Sequence, residues 1–167
     1  MIDIKRIIPE CNADTLLVEL ILQRGKPAHY KGINKVGKRL EKHNDTSLFI
    51  VGLVDTDKFK REDPYIKLFT QIVEDKIAEF GIGVYKLPDT NKHLIRIHPE
   101  FEPWIWKCSG SCYVSPSTYG FNSLDDLYRA TKKNEIRENL KLKKFINSVV
   151  MKNPEEIILI RKWLNMA

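Results

Sequence analysis

The apolar and polar positions of this chain follow two kinds of pattern, one typical of strands and one of helices. Residues 48–54 carry no polar side chain, and a run of this length is typical of a strand that is covered on both faces. Shorter apolar runs rich in β-branched residues predict further strands at residues 4–9, 83–87 and 93–98.

Apolar residues at helical spacing predict the remaining elements. The first helix has Asn12 as its cap and Gly25 as its stop, and apolar residues from Ile33 to Leu40 mark the second. A long third helix begins at Pro64 and runs to about Phe80, with Gly81 as its stop. A fourth runs from Ser123 to about Thr131, and two more lie around residues 140–150 and after Asn153-Pro154. The order strand, helix, helix, strand, helix, strand, strand predicts an α/β fold. We expect a largely parallel sheet of about four strands flanked by helices, with extra C-terminal helices.

Composition supports a single domain over residues 1–167, with residues 123–167 as a basic helical extension. No apolar run approaches the ~18 residues that a membrane span needs, and the first residues lack the pattern of a secretory signal, so we expect a cytoplasmic protein without a membrane partner. The three cysteines are an odd number, which favours reduced thiols over a disulfide framework.

The net charge of +6 favours polyanionic partners. The second predicted helix carries Lys35, Lys38 and Arg39 on its outward positions, and Lys58 and Lys60 follow the strand predicted at residues 48–54. These residues are candidates for contacts to a nucleic-acid backbone, which would position a nucleic acid without reading its sequence. The alternative is an ordinary solvated basic surface.

Three carboxylates follow predicted strands. Asp55 and Asp57 come directly after residues 48–54, and Glu10 stands where the first strand meets the first helix. Because ligands of open α/β sheets bind at the carboxyl ends of the strands, these acids are candidates for one site. A pair of close carboxylates is costly unless a cation such as Mg²⁺ lies between them. The alternatives are a surface turn for the aspartates and a helix-dipole role for Glu10.

A cluster of acids and aromatic residues follows the last predicted strand, at residues 99–106. We expect its aromatic side chains to pack in the core or at its rim, whereas Glu102 could face the same crevice as a further metal ligand. His98 could do likewise or could be a structural hydrogen-bonding residue. Cys108 and Cys112 have a spacing that can hold zinc, but no second pair completes four ligands, so a zinc site is not predicted.

The arrangement of these acids resembles the TOPRIM domain of topoisomerases, primases, OLD-type nucleases and small recombination proteins. The first TOPRIM motif, Glu-Gly-x-x-Asp, is matched here by Glu10-Cys11-Asn12-Ala13-Asp14, with cysteine in place of the glycine. The second, Asp-x-Asp, is matched by Asp55-Thr56-Asp57. A Glu-x-Trp motif of small stand-alone TOPRIM-like proteins from bacterial defence loci is matched by Glu102-Pro103-Trp104.

The resemblance implies a TOPRIM-like nuclease or phosphotransferase that holds Mg²⁺, or Mn²⁺, with Asp55 and Asp57. It implies that Glu10 is a further ligand or the general acid/base, that Glu102 joins the ligand set, and that an ATPase or defence-system protein is a partner. Two alternatives stay open: a non-catalytic module that binds nucleic acid or protein, favoured by Cys11, and an enzyme acting on a small phosphate compound.

Overall fold

A five-stranded mixed sheet forms the centre of the computed structural model, which describes residues 3–56, 63–132 and 136–167. The strands are β1 (Ile7–Pro9), β2 (Ile50–Asp55), β3 (Gln71–Lys76), β4 (Ile82–Lys86) and β5 (Lys92–Ile97). They lie in the order β1-β2-β5-β4-β3. Strands β1, β2 and β5 are parallel, whereas β4 is antiparallel to both of its neighbours, β5 and β3.

Helices cover both faces of the sheet. Those in the described part of the chain are α1 (Asn12–Leu22), α2 (Ile33–Glu41), α3 (Ile77–Phe80), α4 (Phe101–Ser111), α5 (Leu124–Thr131), α6 (Leu140–Lys152) and α7 (Glu155–Leu164). The larger hydrophobic cluster joins one sheet face to α1 and α4–α7, so the C-terminal helices share a core with the sheet. None of the described helices is long and apolar enough to cross a membrane.

The second face of the sheet is covered mainly by α2. Alternation along β2 sends Ile50 and Val54 to this face and Val51 and Leu53 to the other. Gly52 lies where α2 comes closest, since a Cβ atom there would lie about 3.0 Å from Val36 Cγ1. Strand β2 is therefore buried on both sides, as its apolar sequence predicts.

The prediction of α/β architecture is confirmed, but the sheet is mixed instead of largely parallel and has five strands instead of about four. The additional strand is β3, and the antiparallel pairing arises at β4 and β5, which only a short turn separates. A connection of this length joins antiparallel neighbours, because a parallel pair needs a crossover of a dozen or more residues. Both strands themselves were predicted to within one residue at each end.

The predicted long helix from Pro64 to Phe80 was wrong. The structure has a 3₁₀ turn at Ile66–Leu68, then β3 and the four-residue α3. Its apolar residues have helical spacing, but Ile72 and Val73 are β-branched, and the antiparallel pairing of β3 with β4 decides the local structure. Gly81 ends α3 in the left-handed conformation, in the stop position that the sequence predicted.

Smaller differences lie at element ends. The first predicted strand begins with a 3₁₀ turn at Ile4–Arg6, and only Ile7–Pro9 pair with β2. The N-cap of α1 is Cys11 instead of Asn12, and that of α7 is Pro154. The predicted capping box of Ser123 and Asp126 is present at the start of α5.

Candidate functional site

The carboxyl ends of the three parallel strands lie side by side at one edge of the sheet. The backbone N–H of Glu10, just after β1, donates to the carbonyl of Leu53 at 2.9 Å, and the N–H of Thr56 donates to Ile97 at 2.9 Å. The residues that follow β1, β2 and β5 are therefore adjacent in space although they are far apart along the chain. This edge is where α/β sheets bind ligands.

The structure brings Glu10 and Asp55 together, as their positions after neighbouring strands predict. The carboxylate of Glu10 is buried, and its Oε2 accepts a hydrogen bond from the backbone N–H of Asp55 at 3.3 Å. Asp55 is the last residue of β2 and is partly exposed. Asp57, the other predicted aspartate, lies outside the described residues.

Asp14 is a buried acid beside this pair, in the first turn of α1. Its Oδ2 accepts the N–H of Cys11 at 3.2 Å, while Cys11 Sγ accepts the N–H of Asp14 at 3.4 Å, so the two residues cap the helix reciprocally. Asp14 Oδ1 is buried without a hydrogen-bond partner among the described residues. Burial raises the pKa of Asp14 well above its usual value, and the nearby carboxylates of Asp55 and Glu10 raise it further.

Glu102 approaches the same edge from the first turn of α4. Its Oε1 accepts a hydrogen bond from Thr131 Oγ1, on α5. Burial raises the pKa of Glu102, and Asp55 and Glu100 add to the effect, while the hydrogen bond from Thr131 opposes it. Thr56 directly follows Asp55, Pro103 directly follows Glu102, and both line one pocket, so Glu102 lies near the end of β2.

Glu100 and Tyr128 belong to this edge as well, and the sequence did not single them out. Tyr128 donates its hydroxyl hydrogen to Glu100 Oε2 at 2.7 Å. Burial, the bond to Glu100 and the charges of Glu102 and Asp55 raise the pKa of Tyr128. The capping box at Ser123 signals α5 in the sequence, but no sequence pattern shows that α5 lies against these acids.

We call these five carboxylates the acidic cluster: Glu10, Asp14, Asp55, Glu100 and Glu102. Crowded carboxylates raise one another's pKa, and a divalent cation relieves the repulsion because its charge favours the ionised forms. Within residues 3–56, 63–132 and 136–167, however, no three His, Cys, Asp or Glu side chains are already arranged as a metal-ligand set. The acidic cluster thus has the negative charge that attracts a cation. One predicted ligand, Asp57, lies outside the described residues.

Helix α2 begins beside the acidic cluster. The N–H of Gly32, its N-cap residue, donates to the carbonyl of Glu10 at 3.3 Å. Lys35 and Lys38 are exposed on α2 and Arg39 is partly exposed, so the predicted basic surface runs away from the acidic cluster along this helix. The other two basic candidates, Lys58 and Lys60, lie outside the described residues.

A pocket of about 360 Å³ adjoins the acidic cluster, and we call it the side pocket. Its walls include the following residues: Thr56, Ile77, His98, Pro99, Pro103 and Trp104. His98 Nε2 lies 3.4 Å from Thr56 Oγ1, and burial lowers the pKa of His98. His98 therefore contacts the residue that follows Asp55, as a structural hydrogen-bonding residue does, and it also lines the side pocket. A role for His98 as a metal ligand stays a prediction.

The cysteines are free thiols in this structure, in agreement with the prediction from their number. Cys108 is buried in α4, and burial raises the pKa of its thiol. The buried, protonated thiol is inert as a nucleophile.

Comparison with known proteins gives no match: no family model, no curated protein and no solved structure matches this chain.

Proposed function

We propose that this protein is a TOPRIM-like, metal-dependent enzyme that cleaves or transfers phosphodiesters of nucleic acid. The observation that carries the proposal is the convergence of Glu10 and Asp55, with Asp14 and Glu102 beside them, at the carboxyl edge of three parallel strands. The partner ATPase or defence protein expected from the resemblance stays a prediction.

The donor set fits a hard divalent cation such as Mg²⁺ or Mn²⁺. These ions prefer carboxylate oxygens, and Asp14 Oδ1 is a buried acceptor without a hydrogen-bond partner among the described residues. In the proposal, Asp55 and Asp57 hold the ion, and Glu10 and Glu102 complete its surroundings. The bound ion would neutralise charge on the phosphate and lower the pKa of an attacking water.

The protein residues would orient the site in this proposal. Glu10 holds the backbone of Asp55 in place through the 3.3 Å hydrogen bond, and α5 fixes the side chains of Glu100 and Glu102 through Tyr128 and Thr131. The exposed lysines of α2 start beside Glu10 and would bind the phosphate backbone that leads to the cluster.

The first experiment is the substitution Asp55→Asn. It removes one negative charge from the ligand set while it keeps the shape of the side chain, so we expect a loss of Mg²⁺-dependent cleavage of at least ~100-fold, as for other single groups that stabilise a transition state. The readout is cleavage of labelled single-stranded and duplex DNA and RNA.

The matched control is Asp125→Asn, the same change at an exposed position in the first turn of α5. We expect full activity from it and a native circular dichroism spectrum from both variants. Cleavage that persists unchanged in a folded Asp55→Asn protein would contradict the proposal.

A second candidate function is a non-catalytic module of the same fold. Cys11 favours it, since its side chain stands where the motif has glycine and its Sγ is engaged with the N–H of Asp14. A thermal melt separates the two candidates, because a metal that binds the folded state must stabilise it. A melting temperature that rises with Mg²⁺ in wild type but not in Asp55→Asn supports the enzyme; no shift at millimolar Mg²⁺ supports the module.

A further inference from the structure

The side pocket shares two stretches of chain with the acidic cluster. Thr56 lines the pocket and directly follows Asp55, and Pro103 lines it and directly follows Glu102. A ligand in the side pocket would therefore lie next to any group held by the acidic cluster. The side pocket is therefore a candidate binding site for the part of the substrate that lies next to the reacting phosphate.

The chemistry of the walls differs from that of the acidic cluster. Ile77, Pro99 and Pro103 contribute mainly apolar surface. Trp104 also lines the pocket, but its side chain is almost fully buried, and its Nε1 donates to the carbonyl of Phe80 at 2.9 Å. A flat, largely apolar ligand suits such walls better than a sugar or a phosphate does. The pocket volume of about 360 Å³ is at the small end of ligand sites.

Polar side chains also line the side pocket beside these apolar residues. His98 and Thr56 are 3.4 Å apart at the end nearest Asp55 and provide hydrogen-bonding atoms and an aromatic ring. Lys107 also lines the pocket, where its Nζ donates to the carbonyl of Glu79 at 3.0 Å. Proteins hold an unstacked base of a single strand by packing its faces on aromatic or apolar side chains and by hydrogen bonds to its edge, and the side pocket has both kinds of group.

We propose that the side pocket binds one nucleobase, that of the nucleotide next to the phosphate held at the acidic cluster. This proposal rests on the proposed function and narrows its substrate to single-stranded or locally unpaired nucleic acid. A paired base in an intact duplex is stacked on both sides and cannot enter a pocket that takes one ring system.

The test measures binding without cleavage, in EDTA, using the full chain and short single-stranded oligonucleotides. One abasic nucleotide is moved along the oligonucleotide, so that the base is removed at each position in turn while the backbone charge stays constant. We expect the abasic site at one position to weaken binding by roughly 5- to 100-fold, the range that a single base contact provides. An intact duplex of the same sequence should bind less tightly than the single strand.

Two variants connect this effect to the side pocket. Ile77→Phe enlarges a side chain in the pocket wall and should abolish the difference between intact and abasic oligonucleotides. Ile72→Phe makes the same change at an exposed position of β3, outside the pocket, and should leave the difference unchanged. Both variants are first checked for a native thermal melt, and Ile77→Ala provides a second change that weakens the same wall contact.

The outcomes separate this proposal from the proposed function. An affinity that is the same for intact and abasic strands, or a full difference in Ile77→Phe, overturns the base pocket even if Mg²⁺-dependent cleavage is observed. A base effect that Ile77→Phe removes supports the pocket even if no cleavage is found. DNA and RNA strands are tested in parallel, and a base effect in either supports the proposal and tells which sugar the site accepts.

Discussion

At the scale of single residues, Asp14 departs most from what its sequence position suggests. An acid in the first turn of a helix is ordinarily a partly exposed residue that favours the helix dipole. Here the side chain is fully buried, with one oxygen used in the cap and the other without a partner among the described residues. The neighbouring carboxylates of Glu10 and Asp55 make its ionised form still less favourable.

The substitution Asp14→Asn tests this interpretation. An amide can keep the acceptor for the N–H of Cys11 and present an N–H₂ donor to the carboxylates of the acidic cluster. We therefore expect the metal-free variant to be more stable than wild type at neutral pH, by about 1–3 kcal/mol, the usual penalty of a buried polar atom without a partner. Urea unfolding in EDTA measures the difference in the free energy of unfolding.

The same variant should respond less to a divalent cation. If Asp14 contributes to the charge that attracts Mg²⁺, the rise in melting temperature with Mg²⁺ should be smaller in Asp14→Asn than in wild type. A variant that is less stable than wild type in EDTA, with an unchanged response to Mg²⁺, would show that Asp14 is only a helix-capping residue.

At the scale of elements, the sequence predicts best where burial is complete. Strands β2, β4 and β5 have runs of apolar or β-branched residues and were predicted to within two residues at each end. Strand β3 is an edge strand with mostly exposed residues, so its apolar positions do not alternate as in a half-buried strand. Its pairing with β4 is a tertiary contact that local spacing cannot show.

The candidate site likewise has residues that the sequence could place together and residues that it could not. Glu10 and Asp55 could be placed together from the sequence, because each follows a strand and the ends of parallel strands meet at one edge. Tyr128 and Thr131 could not, because they reach Glu100 and Glu102 only through the packing of α5 on α4. The orientation of a helix that follows the sheet depends on packing across the whole core, which local sequence patterns do not show.

The side chain of Glu74 connects β3 to α7. Its Oε2 accepts hydrogen bonds from Trp163 Nε1 at 2.7 Å and from Lys162 Nζ at 2.9 Å. Burial alone would raise the pKa of Glu74, but these two bonds lower it overall. We expect Glu74→Ala to reduce the free energy of unfolding by about 1–2 kcal/mol, since the site is partly exposed and its bonds are charge-assisted.

The control for Glu74→Ala is Glu79→Ala, which breaks the exposed ion pair of Glu79 with Lys76. Exposed pairs contribute little, so a change within ~0.5 kcal/mol is expected. Denaturant unfolding gives both values, and amide hydrogen exchange should show faster exchange in β3 for Glu74→Ala alone. Equal effects of the two substitutions would contradict the anchoring role of Glu74.

At the scale of the whole molecule, charge is distributed unevenly. The chain has a net charge of +6, yet five carboxylates gather at one edge of the sheet. The net positive charge favours polyanionic partners, and in the proposed function a bound cation would screen the acidic cluster from the approaching phosphates. The attraction to a polyanion is measured by how steeply the affinity for nucleic acid falls as the salt concentration rises.

The dependence of stability on pH is a second property of the whole molecule, and His93 makes it testable. Its ring is stacked on Phe49 with the ring centres 4.6 Å apart and lies 5.3 Å from the ring of Trp163. Its Nδ1 donates to the carbonyl of Asn91 at 3.1 Å. Burial lowers the pKa of His93, with a smaller effect of Lys86, although the bond to Asn91 opposes the change.

The sign of the effect follows from proton binding. The folded state favours neutral His93, whereas in the unfolded chain the imidazole takes up a proton below its ordinary pKa of about 6.5. The stabilisation from neutral His93 is therefore complete above that pH and is lost as the pH falls toward the lowered pKa of the folded state. Because other groups of the protein also titrate, the difference between wild type and His93→Gln isolates the contribution of His93. Urea unfolding should show this difference shrinking as the pH is lowered from 7 to 5. A difference that stays constant or grows would mean that folding does not lower the pKa of His93.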